Sequence, residues 1–312
     1  MADAAAALAA LWDGAFGSWY AVTSATLVRA VPLMLTGTAV AVAFRAGVFN
    51  IGAEGQLLAG AAMAAAVALA LPSGGVATVM LALVAGVAGG AAWAGVAAQL
   101  RARFGVMEVI TTIMLNFVAL YAVSWLVRGP LQEPTHAYPQ TLPFAETVRL
   151  WRIPGAGRLH LGLVVALVVV IATGWAIRHT AAGFRLVAVG ESPSAAASAG
   201  LIDVRAVTTR AFLLSGALAG LAGAIEVLGI TFALYEDLSP GYGYTAIAVA
   251  LLAGLDPWKV VVSALLFAAL QAGAGAMQRD AGVPSTVVAM IEALLILAVV
   301  AAQAARARRS HG

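Results

Sequence analysis

Apolar positions in this chain run on continuously instead of alternating with polar ones. Stretches rich in Ala, Leu, Val and Ile, bounded by Gly, Pro or charged residues, fill most of the sequence. Continuous runs predict membrane-crossing helices, because a strand of a lipid-embedded barrel would alternate with period two. The predicted segments are Thr23–Phe44, Leu57–Leu71, Val76–Leu100, Val106–Val127, Leu161–Arg178, Thr208–Ile230, Tyr244–Leu255, Val260–Met277 and Val283–Ala302. Tyr244–Leu255 is short: twelve helical residues rise about 18 Å, against a hydrocarbon core of roughly 30 Å. An irregular stretch around Ser239–Gly243 followed by a short helix makes a broken crossing, and a second break is expected near 45–56. Met1–Tyr20 holds Asp13 and several Gly and Ser positions and is a poor span. The expected fold is an all-α polytopic transmembrane helical bundle of about nine spans, one domain over residues 1–312.

Composition turns that pattern into an exclusion. Of 312 residues, 62% are hydrophobic and 10% charged, where a soluble domain carries about 25% charged. The mean hydropathy is +0.97. No soluble globule hides that much apolar surface, so a soluble enzyme, a nucleic-acid-binding protein and a disordered chain are all excluded. The expected solvent of this fold is a lipid bilayer. Sixteen of the 17 basic residues are Arg. Placing the Arg101/Arg103 loop, the Arg178–Arg210 loop and the C-terminus inside puts 11 of the 17 on the inner side, as the positive-inside rule asks. The proline-rich stretch 128–160 then becomes a long extracytoplasmic loop and 179–207 a cytoplasmic one. In the latter, Ser192-Pro193 before an Ala-rich run ending at Gly200 predicts a capped helix of about two turns.

Polar residues inside apolar segments carry the candidate chemistry. Asn50, Glu54 and Gln56 sit in a glycine-punctuated stretch between two spans. It reads as an ordinary loop or as a discontinuous helix beside a transport path. Glu108, Thr112 and Asn116 share one helical face. Asn116 lies deep enough to need a partner, which is either another helix or a solute. Tyr242 and Tyr244 precede the short helix and suit a cavity wall that stacks on a ring. Gln271, Glu226 and Glu292 fall within spans, where polar groups either lock helices together or relay protons. The expected solute path comprises Asn50, Glu54, Gln56, Thr112, Asn116, Tyr242, Tyr244 and Gln271. With no Cys, no phosphate-binding loop around the sole Lys259 and no metal spacing among the four His, no catalytic group, metal or cofactor is expected.

Taken in order, FRAGVFNIGAEGQLLAGA (44–61), GVMEVITTIMLNF (105–117), VGESPSAAASAGL (189–201), SGALAGLAGAIEVLG (215–229) and GYGYTAIAVALLAG (241–254) resemble the permease subunit of bacterial ABC importers. The group is the simple-sugar/nucleoside one, related to ribose and branched-chain amino acid permeases, and the likeness covers about residues 20–305. The resemblance implies a transport pore, not an enzyme, for a nucleoside or related sugar-containing solute. Ribose- or galactose-type transport and ion-coupled secondary transport are the alternatives. It implies as partners a cytoplasmic ATPase subunit, a second identical or homologous permease and an extracytoplasmic substrate-binding lipoprotein or protein, with no nucleic acid. Val189–Leu201 matches the family's coupling loop, so Arg185, Gly190, Glu191, Pro193, Ala196 and Gly200 are the expected ATPase-coupling residues.

Overall fold

The computed structural model describes residues 4–198, 202–284, 286–294 and 297–298. Eleven α-helices account for nearly all of the named elements. In order they are α1 (Ala4–Phe16), α2 (Leu27–Arg45, entered through a π-helical turn over Ala21–Thr26), α3 (Ala53–Ala70), α4 (Gly75–Phe104), α5 (Glu108–Arg128), α6 (Gly162–His179), α7 (Ala181–Glu191), α8 (Pro193–Ser198), α9 (Val204–Glu226, leaving through a π-helical turn over Val227–Thr231), α10 (Tyr242–Leu252) and α11 (Pro257–Ala281). Residues 286–294 are also helical.

Among the described residues, seven helices are long and apolar enough to cross a membrane. They coincide with seven of the nine segments expected from the sequence. The eighth, α10, has 11 residues, as its short apolar run foretold. The ninth, Val283–Ala302, lies partly outside the described residues. The N-terminal stretch forms a helix that the sequence reading did not assign. Thirteen residues are too few to cross, so α1 lies against α11, where Gly14 and Gly273 let the two backbones approach.

Burial sorts the spans into layers. The most apolar windows of α2 and α9 are 83% buried, against 28% for α4, α5 and α6. The first two are central; the last three present large apolar side chains such as Met114, Trp125, Val168 and Ile171 outward, the pattern of a surface solvated by lipid. Between lipid-like surroundings and lipid itself there is little hydrophobic gain, so packing rests on close approach of backbones. Gly60, Gly90 and Gly220 provide it. A Cβ on Gly220 would lie 2.2 Å from the Gly86 carbonyl oxygen, one on Gly60 2.3 Å from Cα of Gly220, and one on Gly90 2.2 Å from the Gly216 carbonyl oxygen. Helices α3, α4 and α9 therefore meet backbone to backbone.

Caps and ion pairs fix the ends. Asp256 accepts from the Trp258 amide at 3.1 Å and caps α11, with Pro257 in the first turn. Its carboxylate also takes Arg178 of α6 at 2.5 Å, and that guanidinium lies 4.0 Å over the Trp258 ring. At the opposite end, the loop 129–161 is laced to the chain leaving α9. Phe144 N–H donates to Phe232 O, Leu150 N–H to Leu228 O, and Thr141 N–H to Leu234 O, all at 2.7–3.0 Å. Glu236, held below the usual carboxylate range by Arg128 and Ser124, binds both and ties that segment to α5.

His160, beside the start of α6, is fully buried against Gly229. Its Nδ1 accepts from the Gly162 amide at 3.1 Å and its Nε2 has no partner. Burial, with Arg152 and Arg158 near, depresses its pKa to about 4. Below the ordinary value of 6.5 the unfolded chain takes up a proton that the folded one refuses, so folded stability falls as pH drops from about 6.5 toward 4, by on the order of 3 kcal/mol at the limit. Thermal unfolding of the detergent-solubilised protein is expected to show that loss, and His160→Asn to flatten it.

Backbone contact at Gly220 predicts a second result. Gly220→Leu should lower the thermal midpoint and the folded yield, by overpacking worth at least about 2–3 kcal/mol. Gly95→Ala, whose new Cβ would meet only the Leu213 side chain at 3.3 Å, should leave both unchanged in fluorescence-detected size-exclusion profiles.

Candidate functional site: a buried polar knot and a charged cavity

Helix α2 ends at Arg45 and α3 begins at Ala53; the residues between are not helical. Gly47 takes φ +71°, which turns the chain inward. Backbone amides and carbonyls freed at such a break need partners, since each unpaired one costs several kcal/mol in a medium without water. Two side chains of α5 and Asn50 within the break supply them. Asn116 of α5 donates to the Ile51 carbonyl at 2.9 Å and accepts from the Gly55 amide at 2.8 Å. Thr112, one turn earlier, accepts from the Ile51 amide at 3.3 Å. Asn50 accepts from the Gly52 amide at 2.9 Å, exchanges two amide bonds with Gln56 at 3.0 Å, and donates to Ser215 of α9 at 2.9 Å. All five side chains are buried.

From this knot a further bond reaches α10. Glu54, in the first turn of α3, accepts from the Gly243 amide at 2.6 Å. Ser239 accepts from the Gly241 and Tyr242 amides at 3.2 and 3.1 Å. Between them these two side chains cap the start of α10, where a carboxylate is also favoured by the helix dipole.

The structure thus divides the expected path residues into two groups. Asn50, Glu54, Gln56, Thr112 and Asn116 come together, with their polar atoms directed at the protein. Tyr242 and Gln271 instead line a cavity of about 560 Å³, with Ser24, Arg29, Arg158, Glu226, Pro240 and Glu292. Tyr244 is not in that wall; the residue is 45% exposed. Two residues apart on a helix, the tyrosines are turned about 200° from one another, so they cannot share a cavity.

The cavity concentrates charge. Glu226 is 6% exposed and accepts no hydrogen bond among the described residues. One oxygen of Glu292 is buried and likewise unpartnered. Arg29 and Arg158 line the same space without forming an ion pair to either acid. Acceptors, guanidinium donors, an amide and the Tyr242 ring together suit a hydroxyl-bearing or heteroaromatic solute. Arg29 and Arg158 were missed as site residues by the sequence reading, which treated both as topology charges. An Arg one turn inside an apolar span is the signal that would have found Arg29; Arg158 arrives by the return of a long loop and has no local signature.

At the other end of the molecule, α8 is the expected capped helix, and α7 before it is a helix that the sequence reading did not assign. Ser192 Oγ accepts from the Ala195 amide at 3.3 Å, and α8 spans six residues. Glu191 and Pro193 are exposed, whereas Ala196 is turned inward and buried. Gly190 lies on the turn after α2: a Cβ there would be 1.9 Å from the Arg45 carbonyl oxygen and 3.2 Å from the Gly47 amide nitrogen. Arg185 stands apart from these, in a groove between α6, α7 and α9. Gly200 lies outside the described residues.

The broken helices and the polar membrane interior belong to a transport protein. Residues 22–300 match the family described as branched-chain amino acid transport system permease components, and the chain belongs to that family. It is 41% identical over 281 residues to the glucose ABC transporter permease protein TsgB13 of Haloferax volcanii, covering 87% of this chain and 74% of that one. It is 40% identical over 310 residues to the guanosine ABC transporter permease protein NupP of Bacillus subtilis, covering 97% and 87%. With the nucleoside ABC transporter permease protein NupB of Lactococcus lactis it shares 32% over 282 residues, covering 87% and 77%. Each of these organisms holds a second, more distant relative at 27–29% identity. The chain is therefore a multi-pass membrane permease subunit of an ABC transporter. ATP is hydrolysed on a separate subunit, and a substrate-binding protein completes the system.

The knot predicts its own test. Asn116→Ala leaves the Ile51 carbonyl and the Gly55 amide unsatisfied and should cost about 2–5 kcal/mol. Amide hydrogen exchange at residues 51–56 should accelerate more than elsewhere in α3.

Proposed function

We propose that the chain imports a nucleoside, as one half of a pore driven by ATP bound to its partner subunit. The carrying observation is the cavity, where an aromatic wall at Tyr242 stands beside unpaired acceptors at Glu226 and Glu292. A nucleoside offers a ring to the first and ribose hydroxyls to the second. The guanosine relative, matched over nearly the whole of both chains, supports this choice. Glucose is the second reading, favoured by the 41% identity of the glucose relative. The paired relatives in each organism support a second, homologous permease as the other half of the pore.

In this reading α7 and α8 lie on the cytoplasmic side and 128–160 outside, as the distribution of Arg residues supports. Glu191 and Pro193, with Gly200 beyond, meet the ATPase subunit, while Ala196 and Gly190 seat the segment on its own chain. Motion then runs from α8 through Gly190 to the turn at Gly47, into the knot at Asn50 and Gln56, and from Glu54 to α10, which carries Tyr242 into the cavity. Asn50, Thr112 and Asn116 keep this train rigid, and Gln271 and Tyr242 meet the solute. Tyr244 has its place at the surface of the pore half.

Uptake of labelled guanosine, uridine and glucose by cells carrying the full transporter tests the reading. Nucleoside uptake is expected to exceed glucose uptake by at least tenfold; the reverse ranking would assign the pore to sugars. Glu226→Gln should cut uptake at least tenfold with membrane levels unchanged. Gly190→Leu, which wedges α7 from the Arg45 turn, should abolish uptake while the ATPase subunit still co-purifies.

A further inference from the structure

Between α6, α7 and α9 runs a groove of about 380 Å³ that the transport reading does not use. Its floor is apolar, made largely by Ala172, Ala176, Ile177, Leu186 and Leu214, and no acidic residue lines it. Two guanidiniums, those of Arg185 and Arg210, stand in its wall. Both residues are exposed, and neither has an ion-pair partner among the described residues. Their neighbour Arg178 differs, being spent on Asp256 and the Trp258 ring.

The height of the groove is fixed by its aromatic neighbours. Trp175, 55% exposed, stacks on His179 with ring centroids 5.7 Å apart in the last turn of α6, and Trp258, 42% exposed, opens α11. Exposed tryptophans at the ends of crossing helices mark the boundary between hydrocarbon and headgroups. Ala172 lies on the hydrocarbon side of Trp175, and Ala176 is level with it. Arg185, in the helix that follows α6, and Arg210, in the second turn of α9, lie on the headgroup side. The groove is apolar where acyl chains are and cationic where phosphates are.

We propose that this groove holds one anionic phospholipid, its phosphate between Arg185 and Arg210 and an acyl chain along α6. The charge match selects against a zwitterionic lipid: a phosphate that brings its own ammonium neutralises neither arginine, and basic pockets between crossing helices take anionic headgroups. A lipid seated there packs α7 onto α6 and α9. The proposal does not depend on which solute the pore carries.

Native mass spectrometry of the full-length chain in detergent, with phosphatidylglycerol and phosphatidylcholine added in equal amounts, tests it. The wild type should retain phosphatidylglycerol about tenfold more than phosphatidylcholine, and Arg185→Gln with Arg210→Gln should bring the two to parity. Ala172→Phe keeps both charges and fills the apolar part; it should also remove the preference, and it decides the matter if the double variant does not fold. Equal retention of both lipids by the wild type would overturn the proposal, as would an undiminished preference in the variants that fold. Unchanged lipid retention with loss of ATPase-subunit co-purification would assign the two arginines to a protein interface instead.

Discussion

An interrupted helix in a membrane protein has to find hydrogen bonds for its own backbone, and in this chain that demand organises the centre of the molecule. The gap between α2 and α3 is closed by Asn50, Gln56, Thr112, Asn116 and Ser215, which come from the gap itself and from α3, α5 and α9. No water is needed, and each amide side chain is used in both directions. Because the bonds run between helices, the same groups that satisfy the break also set where α5 and α9 stand relative to it. Removing Asn50, Thr112 or Asn116 strands a backbone group, and removing Gln56 or Ser215 strands the Asn50 amide that holds one.

A rigid centre lets the two ends of the molecule differ in kind. Toward one end the walls open into a space with unpaired acids and arginines, which is costly unless a solute or water fills it. Toward the other lies a short capped segment held by a backbone contact at Gly190. The knot lies between the two, following the turn at Gly47 that Gly190 contacts and joined through Glu54 to α10. The glycine contacts of α3, α4 and α9 add to this, since backbones in contact have no side chains to reorient.

The sequence showed much of this, but unevenly. Spans were legible because lipid imposes length and continuous apolarity, and seven of the long helices stand where the runs of Ala, Leu and Val put them. The short α10 and the break before α3 were legible too, from Gly47, Gly52, Gly241 and Gly243 interrupting those runs. What escaped was direction. Asn50 and Asn116 were visible as polar residues in need of partners, but periodicity does not say whether the partner is a solute or another helix. Tyr242 and Tyr244 read as a pair because they are neighbours in sequence, and helical geometry separates them. Arg158 joins the cavity only because 129–161 folds back across the end of the bundle, a long-range event with no local pattern. Helix α1 was missed because Asp13 and its glycines argue against a span, while nothing forbids a short surface helix.

Only Thr180 stands between α6 and α7. Its hydroxyl donates to Ala176 O at 2.6 Å and accepts from Gly183 N–H at 3.1 Å, and Gly183 presses on the Ile177 carbonyl so closely that a Cβ would sit 2.3 Å from it. A joint of one residue, bonded on both sides, has almost no slack and behaves as a fixed elbow. Any tilt of α7 must therefore swing the adjoining end of α6 with it, so a lipid-facing wall of the bundle is geared to that short helix.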